Sequence, residues 1–242
     1  MDFEKEIMAR AAWIREILAE SGAKGIVFGS SGGKDSALVG ILSRIATPNV
    51  TGIIMPCGSK RNYEKDKRHA LDLAEKFDIR TLEVDLTPVK EAFVAAVEAL
   101  DESQTPMAYA NMNPRLRMIT LYNYAQRKGY LVAGTGNRSE MRMGYFTKWG
   151  DGAYDFNPIG DLTVTEIYKL LTYLECPQEI IDEPPSAALF EGQTDEAEMG
   201  VTYADIDRYI LTGIAEPDVK KIIDAADKRA DHKRSLGRIY PR

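Results

Sequence analysis

A glycine-rich loop between a predicted strand and a predicted helix carries the first chemical signal in the sequence. The loop reads Gly29-Ser30-Ser31-Gly32-Gly33-Lys34-Asp35-Ser36. Glycines allow a tight turn that brings backbone N–H groups against an anion, and the N-terminus of the following helix adds partial positive charge. The spacing fits neither a Walker A loop, GxxxxGK[ST], nor GxGxxG. The residues therefore predict a phosphate-binding loop of another kind.

Asp35 indicates that this loop also binds a metal ion. A carboxylate in a phosphate cradle repels its ligand unless a divalent cation lies between them, so Asp35 is a candidate Mg²⁺ ligand. The alternative is that Asp35 only interacts favourably with the helix dipole.

A second polar loop, GTGNRSE at 134–140, follows a later predicted strand. Loops after neighbouring parallel strands meet at one edge of a sheet, so Glu140 is a candidate second metal ligand. Thr135 is a candidate donor to a phosphate or to adenosine. The same segment also fits a helix start in which Asn137 or Ser139 is the N-cap.

Periodicity places both loops in a layered α/β fold. Short apolar runs that suit buried parallel strands lie at 25–28, 50–55, 79–84 and 130–133. An amphipathic helix opens the chain, and further helical patterns lie at 35–46, 62–77, 88–100 and 114–128. Repeated β-α units imply a parallel sheet with helices on both faces. Beyond Pro158 the pattern is helical, at 163–174, 202–212 and 217–231.

Composition describes an ordinary globular protein. The 242 residues are 44% hydrophobic and 28% charged, which predicts a single domain over 1–242 with one large core. The net charge of −6 argues against a protein that mainly coats nucleic acid or an anionic membrane. The segment 220–242 is basic, and a solvated helix with a loose tail is its simplest interpretation.

Cysteine usage and the N-terminus indicate a cytoplasmic protein. Cys57 and Cys176 are far apart, with no CxxC pair, so we expect free thiols in a reducing compartment and no structural zinc site. The N-terminus MDFEKEIMAR is acidic, unlike a signal peptide, and no apolar run approaches the roughly 20 residues of a membrane helix. His69 is expected to be a structural helix residue.

The motifs resemble those of a known family. SGGKDS at 31–36 is similar to the signature of the ATP pyrophosphatase group. Together with GTGNRSE, GYFTKWGDG, NPIGDL, PPSA, QTDE and DHKR, in this order, it resembles NAD synthetase over most of the chain. The resemblance implies a Rossmann-like fold with a doubly wound, mostly parallel five-stranded sheet, helices on both faces and a helical C-terminal part.

The resemblance also implies a reaction. In this family the nicotinate carboxylate of deamido-NAD attacks the α-phosphorus of ATP, giving an acyl-adenylate and pyrophosphate. Ammonia then displaces AMP to give NAD, the last step of NAD biosynthesis. The implied requirements are Mg²⁺, ATP as co-substrate and a homodimer. Glutamine-using relatives carry an added amidase domain, for which motifs that fill 29–233 leave no room, so we expect free ammonia or a separate glutaminase.

Site residues follow from the resemblance by position. ATP would contact the loop at 29–36, Thr135 and, from a lid at about 181–200, Ser186. Asp35 and Glu140 would hold the metal and act in catalysis together with Lys148. Deamido-NAD would be bound by Arg115, Lys148, Asp155, His232 and Lys233, which gives the basic C-terminal segment a role in substrate binding.

These residues also have structural interpretations. Arg115 and Arg117 follow Asn113-Pro114, a predicted N-cap and first helical position. The two arginines differ by roughly 200° around a helix, so we do not expect both to face one ligand, and Arg117 is expected to pair with an acid. Without the resemblance, Lys148 is most simply a solvated lysine.

Asp155 fits a turn cap as well as a substrate ligand, and His232 fits a surface helix residue. The chain departs from the family at Val164, where many relatives carry a lysine associated with the ATP phosphates. Lys34 and Lys169 are possible substitutes for that charge.

Two other functions are open at this point. One is a related adenylating ligase or tRNA-modifying enzyme with the same loop, although the lack of CxxC and of a strongly basic body counts against the tRNA version. The other is a nucleotide-binding module without catalysis, which predicts loss of Asp35 or Glu140. Both residues are present.

Overall fold

The chain alternates strands and helices up to residue 132 and is helical after it. The computed structural model describes residues 2–58, 63–98, 105–183, 195–235, 237 and 239–240. The strands are β1 (Gly25–Gly29), β2 (Val50–Ile54), β3 (Arg80–Glu83) and β4 (Tyr130–Val132). The helices are α1 (Phe3–Ser21), α2 (Lys34–Ala46), α3 (Tyr63–Phe77), α4 (Thr87–Glu98), α5 (Pro106–Lys128), α6 (Arg138–Met143), α7 (Val164–Tyr173), α8 (Gln178–Ile181), α9 (Asp195–Met199), α10 (Tyr203–Thr212) and α11 (Pro217–Ala230), followed by a 3-10 turn (Asp231–Lys233). Within these ranges, no helix combines the length and the apolarity needed to cross a membrane.

The strands form one parallel sheet in the order β3-β2-β1-β4. β1 pairs with both of its neighbours, so that Ile26 lies opposite Val50 and Leu131. Successive crossovers build the sheet from β1 towards β3, and β4 is then added on the other side of β1. The loops after β1 and β4 therefore emerge side by side at the carboxyl edge, where such sheets bind their ligands.

The sheet has four strands in the described part of the chain, so the expected count of five is wrong there. Beside β4 the chain makes a single isolated bridge, between Ala133 and Phe156. The ladder stops because Pro158 has no N–H to donate. Asn157 also turns the chain, since its Oδ1 accepts from the Ile159 N–H at 3.0 Å.

Alternate residues of β1 enter two separate cores, as the period of a strand requires. Ile26 and Phe28 pack with α1, α2 and α7 on one face of the sheet. Val27 packs with Ala125 of α5 on the other face. Complete burial of a side chain such as Phe28 contributes about 1.5–3 kcal/mol to folding. The prediction of helices on both faces is confirmed.

One strand is less buried than predicted. The run at 79–84 forms β3, an edge strand in which Arg80 and Glu83 are exposed. It has β2 as its partner on one side. Lys67 of α3 forms an ion pair with Glu83 at 2.7 Å. The end of β3 thus contacts α3 through charged side chains.

Helix α5 begins earlier than predicted. The expected start at Asn113-Pro114 is wrong, because Thr105 is the N-cap and accepts from the Ala108 N–H at 3.2 Å, with Pro106 in the first turn. Pro114 lies inside the helix and is buried. A Cβ on Gly150 would come within 2.9 Å of the Pro114 Cβ, so the loop after α6 packs directly on this proline.

The C-terminal helices have a core of their own. Met143 of α6, Val164 of α7 and Ile206 of α10 pack together with α11 in a third apolar cluster. Gly144 ends α6 with φ 65°, and a Cβ at this position would lie 2.0 Å from the Ala230 Cβ. Both the backbone angle and the close approach of α11 therefore require glycine here.

A buried carboxylate ties three of these helices together. Asp207 of α10 is 2% exposed. Its Oδ1 accepts from the Ser139 hydroxyl at 2.5 Å, and its Oδ2 accepts from the N–H and the hydroxyl of Thr165 at 2.7 and 2.6 Å. Because Ser139 precedes Glu140 in α6, this network also holds the helix that carries a predicted metal ligand.

Replacement of this carboxylate should destabilise the fold. Asp207→Ala leaves the Ser139 and Thr165 donors without their acceptor, and we expect the free energy of unfolding to fall by about 3 kcal/mol or more. Chemical denaturation measures the change. Asp72→Ala, at an exposed aspartate of α3, is the control and should change stability by less than about 0.5 kcal/mol. Equal stability of the two variants would contradict the assignment.

Candidate active site

A cavity of about 690 Å³ opens beyond the carboxyl ends of β1, β2 and β4. All eight residues of the loop at 29–36 line it. The other predicted residues that line it are Thr135, Glu140, Arg115, Lys148, His232 and Lys233. Residues from distant parts of the chain are thus brought to one place.

The glycine loop presents the N-terminus of α2 to this cavity. Gly33 is the N-cap and makes no side-chain capping bond, so the first N–H groups of α2 remain available to an anion. The Ser31 and Ser36 hydroxyls lie 3.0 Å apart and tie the ends of the loop. A Cβ on Gly32, where φ is 81°, would lie 2.2 Å from the Asp66 carbonyl oxygen, so this position requires glycine.

Asn137 joins the two predicted metal ligands. Its side-chain N–H donates to Asp35 Oδ1 at 3.1 Å, and its backbone N–H donates to Glu140 Oε2 at 3.0 Å. Its own Oδ1 accepts from the Glu140 N–H at 2.9 Å, which completes a capping box. The helix-start interpretation of GTGNRSE is therefore correct, with Asn137 as the cap, and the same contacts place Glu140 in the cavity.

A lysine lies beside the two carboxylates. The Lys34 side chain is 6% exposed, and its Nζ donates to Asp35 Oδ2 at 2.8 Å. Desolvation and the charge of Asp35 raise the pKa of Glu140 well above its ordinary value. Burial lowers the pKa of Lys34, but the charges of Asp35 and Glu140 outweigh it and raise the pKa overall. Two carboxylates and one ammonium give the fully ionised cluster a formal charge of −1.

This arrangement can hold a divalent cation together with phosphates. Among the described residues there is no group of three or more His, Cys, Asp or Glu side chains that could hold a metal ion on its own. Mg²⁺ commonly binds through one or two carboxylates plus substrate phosphates. Asp35 and Glu140 supply that number of carboxylates.

Both predicted and unexpected arginines reach the cavity. Arg115 Nη2 donates to the Lys148 carbonyl at 3.4 Å, and Arg117 Nε donates to the Met55 carbonyl at 3.1 Å. Both side chains line the cavity. The expectation that the two arginines do not face one ligand stays a prediction. Their positions around α5 differ, but each long side chain reaches the cavity wall from its own side of the helix.

The C-terminal turn is held against the loop at 144–150. Lys233 Nζ donates to the carbonyls of Gly144 and Phe146 at 2.8 and 2.9 Å. Lys148 Nζ donates to the His232 carbonyl at 2.5 Å. His232 and Lys233 of the basic segment thus line the cavity, and the interpretation of this turn as a solvated tail is wrong.

Two predicted residues are not placed at the cavity. The Asp155 carboxylate accepts from the Val132 N–H at 2.7 Å and from the Tyr122 hydroxyl at 3.3 Å, and Asp155 does not line the cavity. Its substrate role stays a prediction. Ser186 lies outside the described residues, as does most of the lid expected at 181–200.

The position of Val164 also has a structural explanation. Val164 is 3% exposed and belongs to the apolar cluster of α6, α7 and α10. Lys169, one of its possible substitutes, is exposed and does not line the cavity. Lys34, the other, lies in the phosphate loop itself.

Sequence reasoning missed Asp66 of α3. This residue lines the cavity beside Gly32. Burial and the charge of Glu183 raise the pKa of Asp66 to about 6. No motif marks Asp66, and only the close approach of α3 to the glycine loop reveals it.

Known proteins resemble this chain over its whole length. A family model described as NAD synthase matches residues 6–237. The NH3-dependent NAD+ synthetase of Carboxydothermus hydrogenoformans is 42% identical over 241 residues, which are 99% of this chain and 98% of that protein. The NH3-dependent NAD+ synthetase of Finegoldia magna is 40% identical and covers 99% of this chain and 97% of its own length.

Solved structures of synthetases are similar to this chain over its full length. An NMN synthetase from Francisella tularensis has a TM-score of 0.93 and 35% identity, covering 100% of this chain and 99% of that one. An NH3-dependent NAD synthetase from Campylobacter jejuni has a TM-score of 0.80 and 29% identity, covering 100% of both chains. With this sheet, this phosphate loop and these matches, the chain belongs to the NAD synthase family.

Proposed function

We propose that this chain is an ATP-dependent ligase that amidates deamido-NAD with ammonia, giving NAD, AMP and pyrophosphate. The observation that carries the proposal is the pair of carboxylates, Asp35 and Glu140, held by Asn137 beside a phosphate loop. A nucleotide-binding module needs the loop but not the second carboxylate. Relatives named NH3-dependent NAD+ synthetases support the substrate and the nitrogen source.

The glycine loop binds the β- and γ-phosphates of ATP, the part that leaves as pyrophosphate. The uncapped N–H groups of α2 donate to phosphate oxygens, and the helix dipole favours their charge. Lys34 adds a full positive charge at the first residue of α2. Thr135, on the neighbouring loop, lines the same cavity, which supports its proposed contact with the nucleotide.

Mg²⁺ fits the donors of this site. Burial and the charge of Asp35 raise the pKa of Glu140, and a divalent cation between the two carboxylates favours their ionised forms. Asp35 and Glu140 would hold the ion, and its charge would neutralise the phosphates as an anionic nucleophile approaches.

The remaining residues bring two anions together. Arg115, Lys148, His232 and Lys233 line the part of the cavity formed by α5, the loop at 144–150 and the C-terminal turn. The charges of Arg115, Lys148 and Lys233 bind deamido-NAD together with the His232 side chain, and the carboxylate oxygen of deamido-NAD attacks the α-phosphorus as the bond to pyrophosphate breaks. Ammonia nitrogen then attacks the acyl carbon, the bond to AMP breaks and the nitrogen loses a proton. Positioning and charge neutralisation account for the catalysis, with Lys148 beside the reacting groups.

The setting of the reaction is also part of the proposal. We infer that one domain over 1–242 acts as a homodimer in the cytoplasm, on free ammonia or on ammonia from a separate glutaminase. The two cysteines are buried free thiols, as a reducing compartment allows. Val89 and Phe93 of α4 and Ile119 of α5 are exposed apolar side chains that support a subunit contact.

A second candidate substrate has an observation in its favour. The structure with a TM-score of 0.93 is an NMN synthetase, whereas the NAD synthetase from Campylobacter jejuni gives 0.80. The same ligation chemistry applied to nicotinate mononucleotide yields NMN, and the carboxylate that reacts is identical. The two substrates differ only in the second nucleotide, away from the reacting group.

A direct assay distinguishes the two substrates. Purified protein is incubated with ATP, Mg²⁺ and ammonium, with deamido-NAD or nicotinate mononucleotide, and NAD, NMN and AMP are followed. We expect kcat/KM to be at least about tenfold higher for deamido-NAD, a difference of about 1.4 kcal/mol in transition-state binding. A preference for the mononucleotide would establish the second candidate. AMP release with another carboxylate and no amidation of either substrate would contradict both.

The metal-ligand carboxylate has its own test. Asp35→Asn keeps the volume of the side chain but removes its charge, so we expect pyrophosphate release from ATP and deamido-NAD, without ammonium, to fall by about 100-fold or more. Asp72→Asn, at an exposed position of α3, is the control and should keep the wild-type rate. Retained pyrophosphate release in Asp35→Asn would show that Asp35 is not needed for adenylation.

A further inference from the structure

Lys34 donates a hydrogen bond to a carboxylate oxygen of Asp35 that a metal ion would need as a ligand. Its Nζ lies 2.8 Å from Asp35 Oδ2, while Asp35 Oδ1 accepts from Asn137. Both oxygens of this carboxylate therefore already have donors. Mg²⁺ demands oxygen ligands at about 2.0–2.1 Å, and two cations that share one carboxylate oxygen repel each other strongly.

We propose that Lys34 is the resident counter-cation of the Asp35 and Glu140 carboxylates, and that it prevents tight binding of a divalent cation until the phosphates of ATP draw its ammonium away. The inference rests on the proposed function and adds an order of binding to it. Metal binding at this site is conditional on the nucleotide.

The surroundings of Lys34 explain why the condition holds. The side chain is 6% exposed, so the ammonium cannot simply turn into bulk water. Its Nζ lies 5.6 Å from the centre of the Tyr203 ring, and Tyr203 is itself buried and donates its hydroxyl to Asp195 at 2.9 Å. The open direction is the cavity, which Lys34 lines together with the rest of the phosphate loop.

Charge gives the order of binding. With Lys34 in place, two carboxylates and one ammonium have a formal charge of −1 when all three are ionised, and a divalent cation would leave the cluster positive. Phosphates at the N-terminus of α2 add negative charge next to the cluster. They also give the Lys34 ammonium a second anionic partner within its reach. The nucleotide then frees Asp35 Oδ2 and brings its own oxygens to the metal.

Metal affinity in the absence of turnover tests the inference. Mn²⁺, used in place of Mg²⁺, is titrated into the full chain and followed by its electron paramagnetic resonance signal, with and without a non-hydrolysable ATP analogue. The variants are Lys34→Met, which removes the charge at similar length, and Lys34→Gln, which keeps a hydrogen-bond donor to Asp35. Lys169→Met, at an exposed lysine outside the cavity lining, is the matched control.

We expect both Lys34 variants to bind Mn²⁺ without nucleotide at least about tenfold more tightly than the wild type, and the tightening caused by the analogue to shrink by a similar factor. Lys169→Met should match the wild type. Asp35→Asn should lose tight Mn²⁺ binding in every condition. Circular dichroism confirms that each variant is folded, and the Gln variant keeps the test available should the Met variant fail to fold.

Nucleotide-free affinities that are equal to or weaker than that of the wild type in the folded Lys34 variants would overturn the inference, since Lys34 would then help to order the carboxylates. The measurement needs neither deamido-NAD nor ammonia. A chain that failed to make NAD but showed the tenfold effect would contradict the proposed function and leave this inference intact.

Discussion

Two carboxylates and one ammonium, held together at the carboxyl edge of the sheet, are the constraint that the rest of the structure serves. Asp35 comes from the helix after β1 and Glu140 from the helix after β4, more than 100 residues apart in the chain. They meet because the strand order reverses between β1 and β4, which places both loops side by side. Concentrating like charge in a partly desolvated site is unfavourable unless a cation is present, and Lys34 supplies that cation in the free protein.

The same contacts that stabilise the fold position the chemistry. Asn137 is fully buried and caps α6, yet its donors also hold Asp35 and Glu140 in one orientation. Behind α6, Ser139 is anchored to the buried carboxylate of Asp207. At the other end of α6, Gly144 allows α11 to pack closely, and Lys233 binds the carbonyls that follow. The C-terminal helices thus act as the support of one wall of the cavity.

The parallel sheet and the phosphate loop could be predicted from the sequence because short stretches of the chain carry their patterns. Short apolar runs separated by helical periodicity establish a parallel sheet, and the switch-point rule then places Glu140 near Asp35 without any contact information. The predicted start of α5 is wrong because Asn113-Pro114 has the local pattern of a helix N-terminus, whereas Pro114 lies inside a longer helix and packs against Gly150. The number of strands in the sheet, the positions of the two arginines and the presence of Asp66 in the cavity wall depend on how distant segments approach each other. Periodicity does not encode these contacts.

The most direct test of the central claim is the position of the metal. Crystals of the protein with a non-hydrolysable ATP analogue and Mn²⁺ give an anomalous scattering signal that locates the ion independently of any assumption about its ligands. The account predicts a peak within coordination distance of carboxylate oxygens of both Asp35 and Glu140, with the Lys34 ammonium moved from Asp35 onto the phosphates. A peak that contacts neither carboxylate, for instance one beside Asp66, would contradict it.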